Sequence, residues 1–275
     1  MNNLSEYISI AIPTYNSSKY LDNLLKRVLS VNSVNEIVIS DDDSNENEKI
    51  IYKKSIDKFN KIYPNKNLLF ISNKKRGGPF VNKYNAIKNC TNKIIYQIDS
   101  DNLPMINLDD YIKKDLLPSF KDKNIYYPSK IFQFRKFEKL SILQSKLLKG
   151  TKYKVVIKDK NFEFNKELIK NSIINSEKIT TEKNRRWLFN IGNFIVDREN
   201  FLNAMQEGLS YPEKYLYAGD QFLITYLWLK NNKNIEVKKR HYHFHRKRSD
   251  SVSFEERDRT SEAFDYLEKK ILELK

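Results

Sequence analysis

The chain has 275 residues, which suits one large domain or two lobes sharing a core, and 40% of them are hydrophobic, so a disordered chain is excluded. The net charge is +15, from 50 Lys+Arg against 35 Asp+Glu. Nucleic acid, an anionic membrane surface, an acidic substrate or a general enrichment in lysine would each account for that charge, and the basic residues are spread along the chain instead of forming one tract.

Cys90 is the single cysteine, so no intrachain disulfide forms and a reducing compartment is expected. The start, Met1-Asn2-Asn3-Leu4-Ser5-Glu6, has no basic stretch leading into an apolar one. No apolar run approaches the roughly 20 residues that span a bilayer. The expectation is a cytoplasmic protein whose basic surface suits peripheral contact with the inner, anionic membrane face.

Strand and helix alternate through the first hundred residues. "YISIAI" (7–12) reads as a strand ending at Pro13. Leu21, Leu24, Leu25, Val28 and Leu29 follow helical spacing and predict a helix from Ser18 to Leu29. "EIVIS" (36–40) is a second strand, and Ile50, Ile51, Phe59 and Ile62 suggest a second helix. "LLFIS" (68–72) is a third strand, after which Arg76-Gly77-Gly78-Pro79 opens a helix near Phe80, with proline suited to a first helical turn. "KIIYQI" (93–98) is the fourth strand. This order predicts βαβ units and a mostly parallel sheet, whose ligands bind beyond the carboxyl ends of the strands.

Further on, "IYYPSKIFQF" (125–134) reads as extended, and residues 135–186 carry apolar helical fragments around Leu140, Leu143, Leu147 and Leu148 without a firm assignment. "NFIVDRENFLNAM" (193–205) predicts a strand and a helix, "GDQFLITYLWLKN" (219–231) an apolar helix, and "IEVKKRHYHFH" (235–245) a strand. Phe264, Leu267, Ile271 and Leu274 predict an amphipathic helix in the tail.

Three of the strand ends carry chemistry: Pro13-Thr14-Tyr15-Asn16, Asp41-Asp42-Asp43 and Asp99-Ser100-Asp101. In an extended segment Asp99 and Asp101 would face the same side. Two such carboxylates need a cation between them or one must take a proton. Mg²⁺ or Mn²⁺ with a diphosphate would serve, as would a solvated loop with no ligand at all. The same dipeptide spacing occurs as the nucleophile of haloacid-dehalogenase phosphatases, but there it ends the first strand, not the fourth.

"SIAIPTYN", "EIVISDDDS", "NKKRGGPFVNKYNAI" and "YQIDSDN" follow one another in an order and spacing that resembles the family-2-like nucleotide-sugar glycosyltransferases of GT-A fold. The resemblance continues at "NIGNFIVDRENF", "AGDQF" and "HFHRKRSDSVS", and is weak between 135 and 186. It implies a GT-A-like, Rossmann-like α/β fold, with residues 1–104 as the nucleotide-sugar-binding half, 105–255 as the acceptor-binding half of the same domain, and 256–275 as a terminal helix. It places the nucleotide against Pro13, Thr14, Tyr15 and Asn16, where an aromatic ring stacks on a base. Asp42, or Asp41 one position away, would accept a hydrogen bond from the base. Asp41 to Asp43 would equally serve to cap a helix at Ser44 or Asn45. Arg76 borders the nucleotide. Lys83-Tyr84 departs from the family's Arg-Asn, and a solvated helix face is the expectation for Lys83.

By the same resemblance Asp101 is the metal ligand, Asp99 reaches sugar, ribose or metal, and Ser100 stands where a second acid is common. His245 joins the metal or the diphosphate, while His241 and His243 are structural; on a strand all three share a face. Arg246 and Arg248 are candidates for neutralising the pyrophosphate. Asp220 is the general base, with helix capping as its alternative role. The implied reaction is inverting, Mn²⁺- or Mg²⁺-dependent transfer from a UDP-sugar to a hydroxyl of a saccharide or lipid-linked acceptor in glycan synthesis. A sugar-1-phosphate nucleotidyltransferase would need a glycine-rich basic loop after the first strand, which Pro13-Thr14-Tyr15-Asn16 is not. A nucleic-acid-binding module would leave the strand-end aspartates without a role. No dinucleotide or Walker-type glycine motif is present.

Overall fold

The computed structural model describes residues 6–134, 152–153, 162–174, 192–246 and 257–275. Strands β1 (Ile8–Thr14), β2 (Val34–Asp41), β3 (Asn67–Ser72) and β4 (Ile94–Gln97) are joined by helices α1 (Ser18–Leu29), α2 (Glu46–Ile62) and α3 (Pro79–Lys88). They lie side by side in the order β3-β2-β1-β4, all parallel. β1 is buried along its whole length, as a central strand covered on both faces must be.

The sheet continues past β4. A short β5 (Leu103–Pro104) follows, then the helical stretch α4 (Leu108–Tyr111) and a long strand β6 (Asn124–Phe134). β7 (Lys152–Tyr153), β8 (Phe162–Phe164), α5 (Lys166–Ile174), β9 (Phe194–Asp197), α6 (Arg198–Met205), α7 (Glu213–Tyr217), α8 (Asp220–Lys230), β10 (Asn234–Arg246) and α9 (Arg257–Leu272) complete the order. The path of the sheet is β3-β2-β1-β4-β9-β6-β10-β5, with β7 beside β6 and β8 beside β10. β9 is inserted antiparallel between β4 and β6, whereas the long β6–β10 ladder is parallel. The expected α/β fold with a mostly parallel central sheet is the one found.

Two apolar layers sandwich the sheet. Ile8, Ile10, Ile12, Ile37 and Ile39 pack against α1 and α2, while Ala11, Val38 and Ile95 face α3, α6, α8 and α9. α1 buries the predicted stripe of Leu21, Leu24, Leu25, Val28 and Leu29, each worth roughly 1.5–3 kcal/mol when removed from water. α2 is the expected second helix, and of the residues that suggested it Phe59 is the one buried. Ile50, Ile51 and Ile62 are 49%, 44% and 55% exposed, and the inward face is Tyr52, Ser55, Ile56 and Phe59. Tyr52 to Phe59 has the same helical period as the expected set, and its tyrosine hydroxyl has partners at the end of β1 that the isoleucines could not supply. α9 buries Ala263, Phe264, Leu267 and Ile271. Among the described residues no helix is long and apolar enough to cross a membrane. The fragments around Leu140 to Leu148 lie outside the described residues.

Candidate active site

The carboxyl ends of β1, β2 and β4 meet on one side of the sheet, and side chains braced between loops hold them there. Thr14 Oγ1 donates to Tyr52 Oη at 2.9 Å and shares a hydrogen bond of 2.7 Å with Ser17 Oγ. Ser17 Oγ in turn lies 2.7 Å from Ser100 Oγ. Four hydroxyls thus run from α2, through the end of β1, to the turn after β4. Asn16 has a left-handed backbone, φ 44°, and its side-chain oxygen accepts from the Asn45 amide at 3.1 Å. Pro13 and Thr14 are buried, so of this tetrapeptide Tyr15 and Asn16 are the residues turned outward.

The aspartates after β2 divide their work. Asp41 is fully buried and accepts from Ser44 N–H at 3.1 Å, Ser44 Oγ at 2.5 Å and Ser72 Oγ at 3.2 Å. It closes the loop into α2, whose N-cap is Asn45. Asp42 takes the Gly77 and Gly78 backbone N–H groups on its two oxygens, each at 2.8 Å. Burial holds its carboxyl above the usual range despite these bonds. Both carboxylate oxygens of Asp42 therefore face the loop before α3. Gly78 sits at φ 87°, and a Cβ there would meet the Tyr217 ring at 2.7 Å, so glycine is required. In the same loop the Arg76 guanidinium lies 4.1 Å above the Tyr15 ring and 5.2 Å from that of Tyr217.

The Asp99–Asp101 segment is a turn and not the extended segment expected. β4 ends at Gln97, and Asn102 N–H donates to the Asp99 carbonyl at 3.0 Å. A closed turn removes the alternation that would have put both carboxylates on one side. They still feel each other, since Asp101 raises the proton affinity of Asp99. Arg246 braces the turn: its backbone N–H donates to Asn102 Oδ1 at 3.1 Å, its Nε to the Asp101 carbonyl at 3.3 Å, and its guanidinium lies over Tyr20 at 4.4 Å. Asn193 Oδ1 accepts from Asp99 N–H at 2.9 Å. The neighbouring Gly192 leaves room for Asp99, because a Cβ at 192 would lie 2.4 Å from Asp99 Oδ2. Arg248 lies outside the described residues.

The site's charges meet at Lys83. This lysine is 4% exposed, so the expected solvated helix face is wrong. Phe80, Lys83, Tyr84 and Ile87 lie three, four and seven residues apart, and the packing of α3 carries all four inward. Lys83 Nζ is 2.6 Å from Asp220 Oδ2 and 3.5 Å from Asp99 Oδ1. Burial works against the lysine's charge, but the two carboxylates outweigh it and the ammonium is held more firmly than usual. Burial also lifts both carboxyls above their ordinary values, with Lys83 opposing. Two carboxylates thus share one cation. Asp220 opens α8, where the helix dipole favours a negative charge. Gln221 Nε2 donates to it at 2.9 Å, and Gly219 before it admits Ala263 of α9 at close range.

The histidines of β10 have different fates. His241 is fully buried, stacked on Tyr111 with centroids 5.1 Å apart, and burial lowers its pKa to about 3. His243 is buried and neutral for the same reason. His245 is half-buried, its ring 6.3 Å from that of His243. The burial of His241 and His243 accords with a structural role for both.

Among the described residues no group of three or more His, Cys, Asp or Glu side chains converges as a metal-holding set. Asp99, which already shares Lys83, and a partly exposed Asp101 lie on one turn, and one or two carboxylates completed by a diphosphate are the ordinary donor set of Mg²⁺. Sequence reading set Lys83 aside as solvated and gave Tyr217, Gly192 and Asn193 no individual role. A lysine on the apolar stripe of α3 was the available signal for the first, and Gly192 and Asn193 fall within the "NIGNFIVDRENF" stretch that carries the resemblance; no local signal marks Tyr217.

Comparison with known proteins accords with this geometry. The sequence profile described as glycosyl transferase family 2 matches residues 9–123. No curated protein sequence matches the chain significantly. Among solved structures, S. aureus TarS 1-349 matches with a TM-score of 0.59 and 18% identity, over 98% of this chain and 66% of that one. The same fragment in complex with UDP-GlcNAc matches with a TM-score of 0.62 and 17% identity, over 98% and 67%. GalNAc-T7 with UDP, GalNAc and Mn²⁺ matches with 0.56 and 16%, over 90% of this chain and 45% of that one. The chain spans only about two thirds of that TarS fragment and 39% of the whole TarS chain. At these identities the likeness establishes the fold. Residues 9–123 thus match the glycosyl transferase family 2 profile, in a chain whose described residues fold as the GT-A glycosyltransferases do.

Proposed function

We propose that the chain transfers a sugar from a nucleotide diphosphate sugar, a UDP-sugar, to an acceptor hydroxyl with inversion at the anomeric carbon. The observation that carries this reading is the meeting of Asp99, after β4, with Asp220, at the start of α8, around the single ammonium of Lys83. One carboxylate belongs to the strand ends where a nucleotide sugar docks, and the other is free of those loops and faces the same point. The solved TarS and GalNAc-T7 complexes, which hold UDP, UDP-GlcNAc or UDP with GalNAc and Mn²⁺, support a UDP-linked donor.

In this mechanism Tyr15 stacks on the base, with Arg76 leaving its ring face or stacking beyond the base. Asp42 accepts from the base on a lone pair that the Gly77 and Gly78 amides leave over. Asp99 and Ser100 orient the sugar and ribose. Asp220 takes the proton of the acceptor hydroxyl as that oxygen attacks, and one general base is sufficient for a single displacement. Asp101, Asp99 and His245 would hold a Mn²⁺ or Mg²⁺ ion, which supplies positive charge to the departing diphosphate. Arg246, which braces the Asp101 turn, and Arg248 would offset the charge of the diphosphate.

Residues 1–104 serve the donor and 105–255 the acceptor, with helix 256–275 packed behind Asp220. The acceptor is a saccharide or lipid-linked hydroxyl in glycan synthesis. The basic surface suits a cytoplasmic enzyme working beside an anionic membrane, without nucleic acid. A panel of UDP-, GDP- and dTDP-sugars with Mn²⁺ tests the reading through release of the nucleoside diphosphate. UDP release from at least one UDP-sugar is expected. No release, together with no thermal stabilisation by any nucleoside diphosphate, would overturn it.

A further inference from the structure

We propose that Lys83 is the positioning residue of this site: from α3 it ties the carboxylate of Asp220 to that of Asp99 and so aims the proton acceptor from the donor side. This deepens the reading above and rests on it, since it takes Asp220 as the base.

The geometry is asymmetric. Lys83 Nζ holds Asp220 Oδ2 at 2.6 Å and leans on Asp99 Oδ1 at 3.5 Å. An ammonium carries three donors and no preferred plane, so it can keep the short bond while the long contact is given up to a ligand. Gln221 Nε2 and Gln97 Nε2 hold the same two carboxylates from α8 and β4, at 2.9 and 3.0 Å. Each carboxylate is therefore oriented by its own element, and Lys83 is the group that spans them.

A purely structural role accounts poorly for this cluster. Burying a lysine on an apolar helix stripe is costly, and an apolar side chain of similar volume often stabilises such a position as well or better. A structural ion pair also satisfies its surroundings. Here the buried atoms Gln97 Oε1, Gln221 Oε1 and Asn193 Nδ2 have no protein partner among the described residues. Polar groups left open around a shared cation suit a site completed by donor and acceptor.

The test uses the full chain and its Lys83→Met, Lys83→Gln and Lys83→Arg variants. UDP affinity is measured by calorimetry, kcat and KM for UDP-sugar turnover are measured per folded molecule, and melts give the folded fraction. Misplacing a reacting group by about 1 Å costs ~10²-fold, so Lys83→Met should lower kcat by about that factor with UDP affinity changed less than about 3-fold. Lys83→Arg, which keeps the charge, should recover part of the loss. Should the Met variant not fold, Lys83→Gln is judged by the same criteria. A charge-removing variant with wild-type kcat overturns the assignment. So does one in which kcat and UDP affinity fall together without rescue by Arg, which would place Lys83 in donor binding. A wild-type chain that turns over no donor overturns the parent reading and this assignment with it, whereas an active wild type matched by Lys83→Met overturns this assignment alone.

Discussion

Two carboxylate clusters sit at opposite ends of the same parallel strands. At the amino ends, Glu36 of β2 accepts from Ser9 Oγ of β1, from Thr91 N–H at 2.7 Å, from Thr91 Oγ1 at 2.9 Å and from Asn67 Nδ2 of β3 at 3.3 Å. Four donors on two oxygens satisfy the group without a cation. At the carboxyl ends, Asp99 and Asp220 share Lys83, and three buried amide atoms beside them stay without a protein partner among the described residues. The carboxylate at the amino ends is buried and finished, whereas those at the carboxyl ends are partly exposed, at 29% and 14% of their side chains, and open. The difference teaches how to tell a carboxylate that fastens strands from one that is placed for chemistry.

The sharpest way to break the comparison is to remove the charge at each end. Asp220→Asn keeps the shape of the side chain but cannot accept a proton at neutral pH. Turnover should fall ~10²–10⁴-fold with UDP affinity nearly unchanged, as read from steady-state kinetics and calorimetry on one preparation. Near-normal turnover would remove Asp220 from the mechanism. Glu36→Ala should do the reverse. It leaves buried donors unpaired and should lower unfolding free energy by about 3 kcal/mol, seen in urea melts, while kcat per folded molecule stays constant.

A smaller effect is expected from Gly192→Ala. The added methyl would lie 2.4 Å from Asp99 Oδ2, so the carboxylate must swing away. Donor kcat/KM should drop ~10–10²-fold, with little change in the melt. An unchanged kcat/KM would mean that the position of Asp99 does not matter to the donor.

Much of the frame was legible because it is written locally. The leucines of α1 repeat at helical spacing, and the strands of the first hundred residues are short apolar runs between turn residues. What could not be read were pairings across long separations. Lys83 meets Asp220 137 residues away, and nothing near either position announces the other. Nor could the bonds from the Gly77 and Gly78 amides to Asp42 be read, since any sequence supplies backbone amides. The inward side of α2 was not legible, because Ile50, Ile51 and Ile62 are apolar yet exposed, whereas Tyr52 and Ser55, on the inward side, are not obviously apolar. The residues at the strand ends could be named from sequence, whereas the contacts that brace them, such as Asn193 on Asp99, could not.

β10 offers the mildest test. His241 is neutral in the folded state, with a pKa of about 3 against 6.5 when unfolded. A folded pKa below the unfolded value gives stability that is present above about pH 6.5 and is lost as pH falls toward 3. Between pH 7 and 5 this histidine alone should take about 2 kcal/mol from the unfolding free energy. His241→Phe should flatten that part of the profile in urea melts at the two pH values, and an unchanged profile would show that His241 does not titrate on unfolding.

The central claim, that the open end of the strands holds a UDP-sugar through Asp101, is tested most directly by melting wild type and Asp101→Ala with UDP, in the presence and absence of Mn²⁺. A ligand at 100 times its Kd stabilises the folded state by about 2.7 kcal/mol. Wild type should gain stability of that order from UDP with Mn²⁺, less from UDP alone, and Asp101→Ala should lose most of the metal-dependent gain. Equal stabilisation of both proteins by UDP and Mn²⁺ would contradict the account.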